Sequence, residues 1–134
     1  MNLPPPAVNA DSRKFWEAAR ENRLIIKRCD ACARAFFPPS YLCPRCWSDK
    51  TSWIDSAGNG TVYSYTVMER APGPEFAARV PYVVALIDLA EGPRVMANIV
   101  GPRALETAVG ERVAVCFEDR SDGWKVPQFR RAAA

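Results

Sequence analysis

Cys29-Asp30-Ala31-Cys32 and Cys43-Pro44-Arg45-Cys46, two Cys-x-x-Cys pairs with ten residues between them, decide how the first half of this chain folds. Two thiolates three positions apart face one metal when the backbone curls between them. A second such knuckle completes a tetrahedral shell of four sulphurs. Thiol redox chemistry also uses Cys-x-x-Cys, but it needs one pair, set after a strand and opening a helix. Cysteines buried as small apolar side chains do not need this spacing at all. Cys29, Cys32, Cys43 and Cys46 are therefore the expected metal ligands. With all four positions filled by protein, no open site remains for water or substrate, so the expected role is structural. Iron accepts the same ligands, but an iron carrier would use a whole small protein around that centre. The long segment that follows favours zinc, one ion per chain.

Outward from the knuckles, the flanking sequence reads as a zinc ribbon. Asp11 or Ser12 can cap a helix running to about Asn22, with Phe15, Trp16, Ala18 and Ala19 as its apolar contacts. Residues 24–27 read as a strand entering the first knuckle. Residues 35–37 form a second strand, stopped by Pro38-Pro39, and residues 52–54 a third. A segment this short has little core of its own, and metal binding supplies on the order of 10 kcal/mol to such folds. Gly58-Asn59-Gly60 reads as a turn at the boundary, dividing residues 1–59 from residues 60–134. As a phosphate loop it is weak, because neither GxGxxG nor GxxxxGK follows.

The second half reads as β throughout. Residues 61–69, 81–89, 94–100, 112–118 and 124–129 are five strand candidates rich in Val, Ile, Tyr and Phe. Glu91-Gly92-Pro93 and Asp122-Gly123 supply tight turns, and a short helix is expected around Pro102-Arg103-Ala104-Leu105-Glu106. Five strands with a helix after the third is the order of an OB-fold barrel. An SH3-like barrel has five strands too, but it does not need that helical insertion. The expected class is mainly β: an N-terminal helix, a rubredoxin-like zinc ribbon, then a five-stranded OB-fold.

Composition narrows the chemistry. The 134 residues are 49% hydrophobic and 25% charged, which suits a packed domain and not a disordered chain. No apolar run approaches the ~20 residues of a membrane span, and the first six residues lack the features of a secretory signal, so a cytoplasmic protein is expected. Histidine is absent. That removes Ser-His-Asp and Cys-His nucleophile activation and imidazole acid–base catalysis. The formal charge is +3, from 18 basic and 15 acidic residues. Four thiolates with one divalent ion add −2 and leave about +1. Residues 60–134 hold nine basic and nine acidic groups, so no basic footprint for nucleic acid is evident.

With these residues in place, the chain resembles the DUF35 family over nearly its full length. The resemblance is carried by Phe15-Trp16-Glu17-Ala18, both knuckles and Phe36-Phe37-Pro38-Pro39. In the barrel it is carried by Gly58-Asn59-Gly60-Thr61-Val62-Tyr63-Ser64-Tyr65-Thr66, Arg70-Ala71-Pro72-Gly73-Pro74, Pro81-Tyr82-Val83-Val84 and Val126-Pro127-Gln128-Phe129. Two positions depart from it: the glycine often found after each knuckle is Ala33 and Trp47 here. The resemblance implies an accessory subunit that does not catalyse alone. Its partner would be a thiolase-like acyl-transferase, an aldolase or a hydratase acting on acyl-CoA thioesters, in a hetero-oligomer.

Several residues then stand as candidates for contact with acyl-CoA or the partner. Phe15 and Trp16 are adjacent on one short helix, about 100° apart, so a small domain is not expected to cover both. Trp47 and Trp53 add apolar surface to the ribbon. In the loop between the first two barrel strands, Arg70 and Arg79 can meet phosphates, and Phe76 and Tyr82 offer apolar contact. Cys116, outside the knuckles, is expected to be a packed thiol, with no histidine to activate it, and Glu118-Asp119 a solvated strand end. Two other functions fit the sequence: a single-stranded nucleic-acid binder, stacking bases on Trp47, Trp53, Tyr63 and Tyr65, and a free-standing acyl-CoA carrier.

Overall fold

Helix α1, Arg13–Arg20, opens the fold because Phe15, Ala18 and Ala19 recur on one face and bury there. In this computed structural model, residues 3–132 are described. Of the Pro-rich lead, Met1 and Asn2 lie outside them. Ser12 stands at the N-cap, but its side chain caps no helical amide. Its hydroxyl and amide bond Asn9 instead, at 2.9 Å each. The helix is shorter than its sequence suggests because Asn22 turns left-handed (φ +61°) and Arg23 N–H closes back on Ala18 C=O at 3.0 Å. The lead is tied to the far end of the chain: Leu3 C=O accepts from the Ser121 hydroxyl at 2.7 Å, and Pro4 C=O from Arg120 at 3.2 Å.

Three short strands carry the knuckles. β1, Ile25–Cys29, is central in an antiparallel sheet between β2, Ala35–Phe36, and β3, Thr51–Asp55. The remaining strands are β4, Asn59–Met68, β5, Tyr82–Leu89, β6, Arg94–Val100, β7, Arg112–Asp119, and β8, Lys125–Arg131. They close a barrel in the order β4-β5-β6-β8-β7, in which every neighbouring pair is antiparallel except β6 and β8. That order, with a parallel pair between the third and fifth barrel strands, is the OB-fold arrangement. One apolar core runs from Phe15, Leu24 and Ile26 into Val62, Ile87, Ile99 and Phe129. Among the described residues no helix is long and apolar enough to cross a membrane.

Two local expectations change. The helix expected between β6 and β7 is a single 3₁₀ turn, Ala104–Glu106, because Arg103 before it is left-handed (φ +64°). Gly58-Asn59-Gly60 is more than a turn: Asn59 and Gly60 already belong to β4 and pair with Ala114 and Val113 of β7. A Cβ on Gly58 would lie 2.2 Å from Val115 Cγ1, and one on Gly60 2.5 Å from Ile87 Cγ2. The two glycines let the barrel close.

Parallel pairing between β6 and β8 is confined to Ile99–Phe129 and Val100–Arg130. Beside it, a buried side chain carries the contact. Gln128 Oε1 accepts from Asn98 N–H at 2.7 Å, and Gln128 Nε2 donates to Asn98 Oδ1 at 3.1 Å. Asn98 Nδ2 in turn donates to Val83 C=O at 3.1 Å, which reaches β5. Gln128→Leu leaves the Asn98 N–H and Oδ1 without these partners in a part-buried place, with only the bond to Val83 kept. We expect it to cost about 2–3 kcal/mol, read as a lower denaturant midpoint at unchanged slope.

Candidate metal centre and adjoining apolar groove

The two knuckles are built alike. Cys29 C=O accepts from Ala33 N–H at 2.8 Å, and Cys43 C=O from Trp47 N–H at 2.9 Å. Cys29 N–H donates to Arg34 C=O, and Cys43 N–H to Ser48 C=O. Both turns are closed by a left-handed residue, Ala33 at φ +65° and Trp47 at φ +66°. These are the two positions where glycine was expected, and the geometry shows why: only glycine adopts that region without strain. Trp47 holds it with its ring 77% exposed.

These loops bring Cys29, Cys32, Cys43 and Cys46 together, every sulphur within 4.8 Å of the others. Cys29 and Cys46 are 3.5 Å apart and Cys32 and Cys43 are 3.8 Å apart. A tetrahedral zinc with Zn–S bonds of about 2.3 Å needs sulphurs about 3.8 Å apart, whereas a disulfide needs about 2.05 Å. The four sulphurs therefore fit one metal ion. Amide hydrogens support them: Cys32 N–H points at Cys29 Sγ and Arg45 N–H at Cys43 Sγ, both at 3.4 Å. The backbone N–H of Cys46 and, with it, that of Arg45 draw the Cys43 thiol down to about 6, against its burial. At Cys46 the Ser48 amide pulls the same way, but the sulphur of Cys29, burial and the other two sulphurs prevail and push it up to about 11. Four thiols this close do not all ionise without a cation between them, which is what a metal supplies. Cys29 and Cys43 are buried and pack with Phe36, while Cys46 is exposed. Cys116 lies on β7 opposite Gln128, half-buried and outside the cluster.

Beside the ribbon, helix α1 and the barrel enclose an apolar groove of about 440 Å³. Its walls are Phe15, Trp16, Phe37 and Pro38 on one side and Met96, Val126 and Pro127 on the other. Phe15 is 5% exposed, wedged between Trp16 (ring centroids 4.7 Å, edge-on) and Phe37 (5.2 Å). The small domain thus covers Phe15 but leaves Trp16 half-buried on the groove wall. Trp53 is half-buried beneath the Lys27 ammonium, 4.9 Å from its ring centre.

The loop candidates form a second group. Phe76 and Tyr82 face each other at 6.3 Å. Arg79 bonds Glu118 at 2.7 Å, so its guanidinium is already engaged, whereas Arg70 is exposed. Glu118 is 18% exposed and also holds Arg120 at 3.1 Å, in place of the solvated strand end its sequence suggests. Arg120 joins the two groups, because it lines the groove and lies 5.9 Å from the Phe76 ring centre. Its place in the site is not visible in the sequence, since apart from Glu118 its neighbours, Phe76 and Pro4 among them, are remote in the chain.

Residues 16–52 match the family described as ChsH2, rubredoxin-like zinc ribbon domain, and residues 53–118 that described as ChsH2, C-terminal OB-fold domain. Among solved structures, a chain of the Ltp2-ChsH2(DUF35) aldolase superposes with a TM-score of 0.84 at 39% identity, covering 96% of this chain and 99% of that one. A DUF35 domain-containing scaffold protein of Methanocaldococcus jannaschii is 36% identical over 117 residues, 82% of each chain. The probable enoyl-CoA hydratase alpha subunit of Thermomonospora curvata is 40% identical over 129 residues, which are 96% of this chain. This chain spans only 40% of that relative's length. The ribbon and the barrel are thus both matched, over almost the whole sequence, and the chain belongs to the DUF35 family.

Proposed function

We propose that this chain is a non-catalytic accessory subunit that binds a thiolase-like enzyme, an acyl-transferase or aldolase, acting on acyl-CoA thioesters. The observation that carries this reading is its likeness, over 99% of the matched chain, to the DUF35 chain of an aldolase. The chemistry of the chain agrees. Four sulphurs form a closed set around one zinc, whose task is to hold the ribbon, and no histidine is present to move a proton. In this reading residues 1–59 dock through helix α1 and the ribbon, and residues 60–134 present the loop of Phe76, Arg79 and Tyr82. Arg70, exposed, faces acyl-CoA phosphate, and the Arg79–Glu118–Arg120 cluster fixes the loop that borders the thioester site. The work is done in the cytoplasm, where thiols stay reduced for the metal.

The test is turnover of acyl-CoA thioesters by the isolated chain and by the co-expressed pair. The isolated chain is expected to show none, and the pair to show the enzyme's full rate. Thioester turnover by the isolated chain that disappears in Cys116→Ala would overturn both the accessory role and the packing role of Cys116.

A further inference from the structure

The barrel closes unevenly around β4. This strand pairs with β5 from Gly60 to Met68, but with β7 only from Asn59 to Thr61. Two further bonds join Val62 to Glu111 and Gly110, at 2.9 Å each. From residue 63 to residue 68 the side of β4 turned away from β5 meets no hydrogen-bonding group among the described residues. The cause is local. The register slips between Val62 and Ser64, so Tyr63 is an extra residue, and such a bulge bends the strand. The second half of β4 then leaves β7 behind.

What is left is a bare strand edge about 20 Å long. Its sequence, Tyr63-Ser64-Tyr65-Thr66-Val67-Met68, carries no charge and no proline. Tyr63, Tyr65 and Val67 are 50%, 41% and 38% exposed. Of the devices that blunt an edge, the bulge at Tyr63 and the Arg94 guanidinium 3.4 Å from that ring's centre act only at its first residue; from Ser64 to Met68 there is no lysine, no proline and, among the described residues, no further main-chain partner. Unpaired amides and carbonyls in a row specify the chemistry of what completes them, namely another extended chain.

We infer that this edge receives an extended segment of the enzyme subunit, added to the barrel as a further strand next to β4. The inference rests on the accessory-subunit reading and names the contact through which it works. Main-chain bonds supply the pairing, and apolar side chains at alternate positions of the incoming strand lie against Tyr65 and Val67, which share one face beyond the bulge. A second copy of this chain offers the same chemistry, but area argues against it. A strand pair of this length buries on the order of 400 Å² in all, taking about 20 by 10 Å on each side. A stable complex needs roughly 1,200 Å² or more. The edge alone does not hold two copies together, whereas an enzyme subunit that also covers the groove and ribbon reaches that area.

Hydrogen exchange measured on the free chain and on the co-expressed complex tests this directly. Amides of residues 63–68 that exchange freely in the free chain should slow at least tenfold in the complex. The double variant Tyr65→Lys/Val67→Lys, which changes only exposed side chains, should weaken assembly at least tenfold while keeping one zinc per chain. Unchanged exchange at residues 63–68 in a complex that does form would overturn the edge assignment and leave the accessory role standing. Absence of any complex with the wild-type chain would overturn the accessory role and this inference with it. Protection that appears in the free chain together with a doubling of its mass would assign the edge to a second copy and overturn the enzyme strand.

Discussion

Cys43→Ser is expected to release the metal and unfold the ribbon, with zinc falling from one per chain to near zero. The loss is large because the ligand does two things at once. Its sulphur is one of four around the ion, and structural zinc contributes on the order of 10 kcal/mol to small domains. Its backbone also closes the second knuckle, through Trp47 N–H at 2.9 Å, on a residue held left-handed at φ +66°. Without the metal nothing offsets that strain, and the turn relaxes. The effect will not stop at the knuckle. Ile25 and Ile26 of β1 belong to the same apolar core as Ile87 and Phe129 of the barrel, so thermal unfolding should shift by more than about 10 °C. Cys29→Ser should behave in the same way. Cys116→Ser should retain the metal and the wild-type midpoint. Elemental analysis together with a thermal melt checks all three, and a metal-free Cys43→Ser chain that melts like wild type would contradict the role given to the cluster.

The second large effect is expected at Gly58. Alanine there meets two separate obstacles: a left-handed backbone at φ +79°, and a methyl group 2.2 Å from Val115 Cγ1. The first costs about 1–2 kcal/mol for an L side chain. Forcing an extra carbon into a packed place adds about 1–3 kcal/mol. Together they should lower stability by about 3 kcal/mol, roughly 10 °C in a domain of this size. Gly110 separates the two terms, since it is also left-handed (φ +90°) but has open space where a Cβ would go. Gly110→Ala should therefore cost only the conformational part. Equal melting temperatures for the two variants would show that the close approach to Val115 does not matter.

The sequence made some of this legible and hid the rest for physical reasons. The knuckles could be read because metal ligation demands particular atoms at particular spacing. The barrel strands could be read because apolar and β-branched residues cluster where strands must be buried, and β6 begins and ends where its sequence says. The glycine pair at Gly58 and Gly60 was misjudged as a turn, because a close approach between strands distant in sequence leaves no local mark. Gln128 was visible as part of a motif, but its partner Asn98 lies thirty residues away and its task appears only once β6 and β8 are side by side. Arg79 reaches Glu118 in the same way, across thirty-nine residues, and so joins the local Glu118–Arg120 pair to the loop. The bare edge of β4 was hidden because strand-like sequence does not say on which sides a strand is paired. The departures at Ala33 and Trp47 were legible as departures, and the backbone explains what they cost.

Everything proposed for the groove, the loop and the β4 edge requires that this chain work bound to an enzyme subunit. The most direct measurement is the mass, by sedimentation at micromolar concentration, of the chain co-expressed with a thiolase-like enzyme subunit from the same organism. An accessory subunit gives one species containing both chains, with one zinc for each copy of this one. Two separate species, each at the mass of its own chain or self-assembly, would contradict the accessory role.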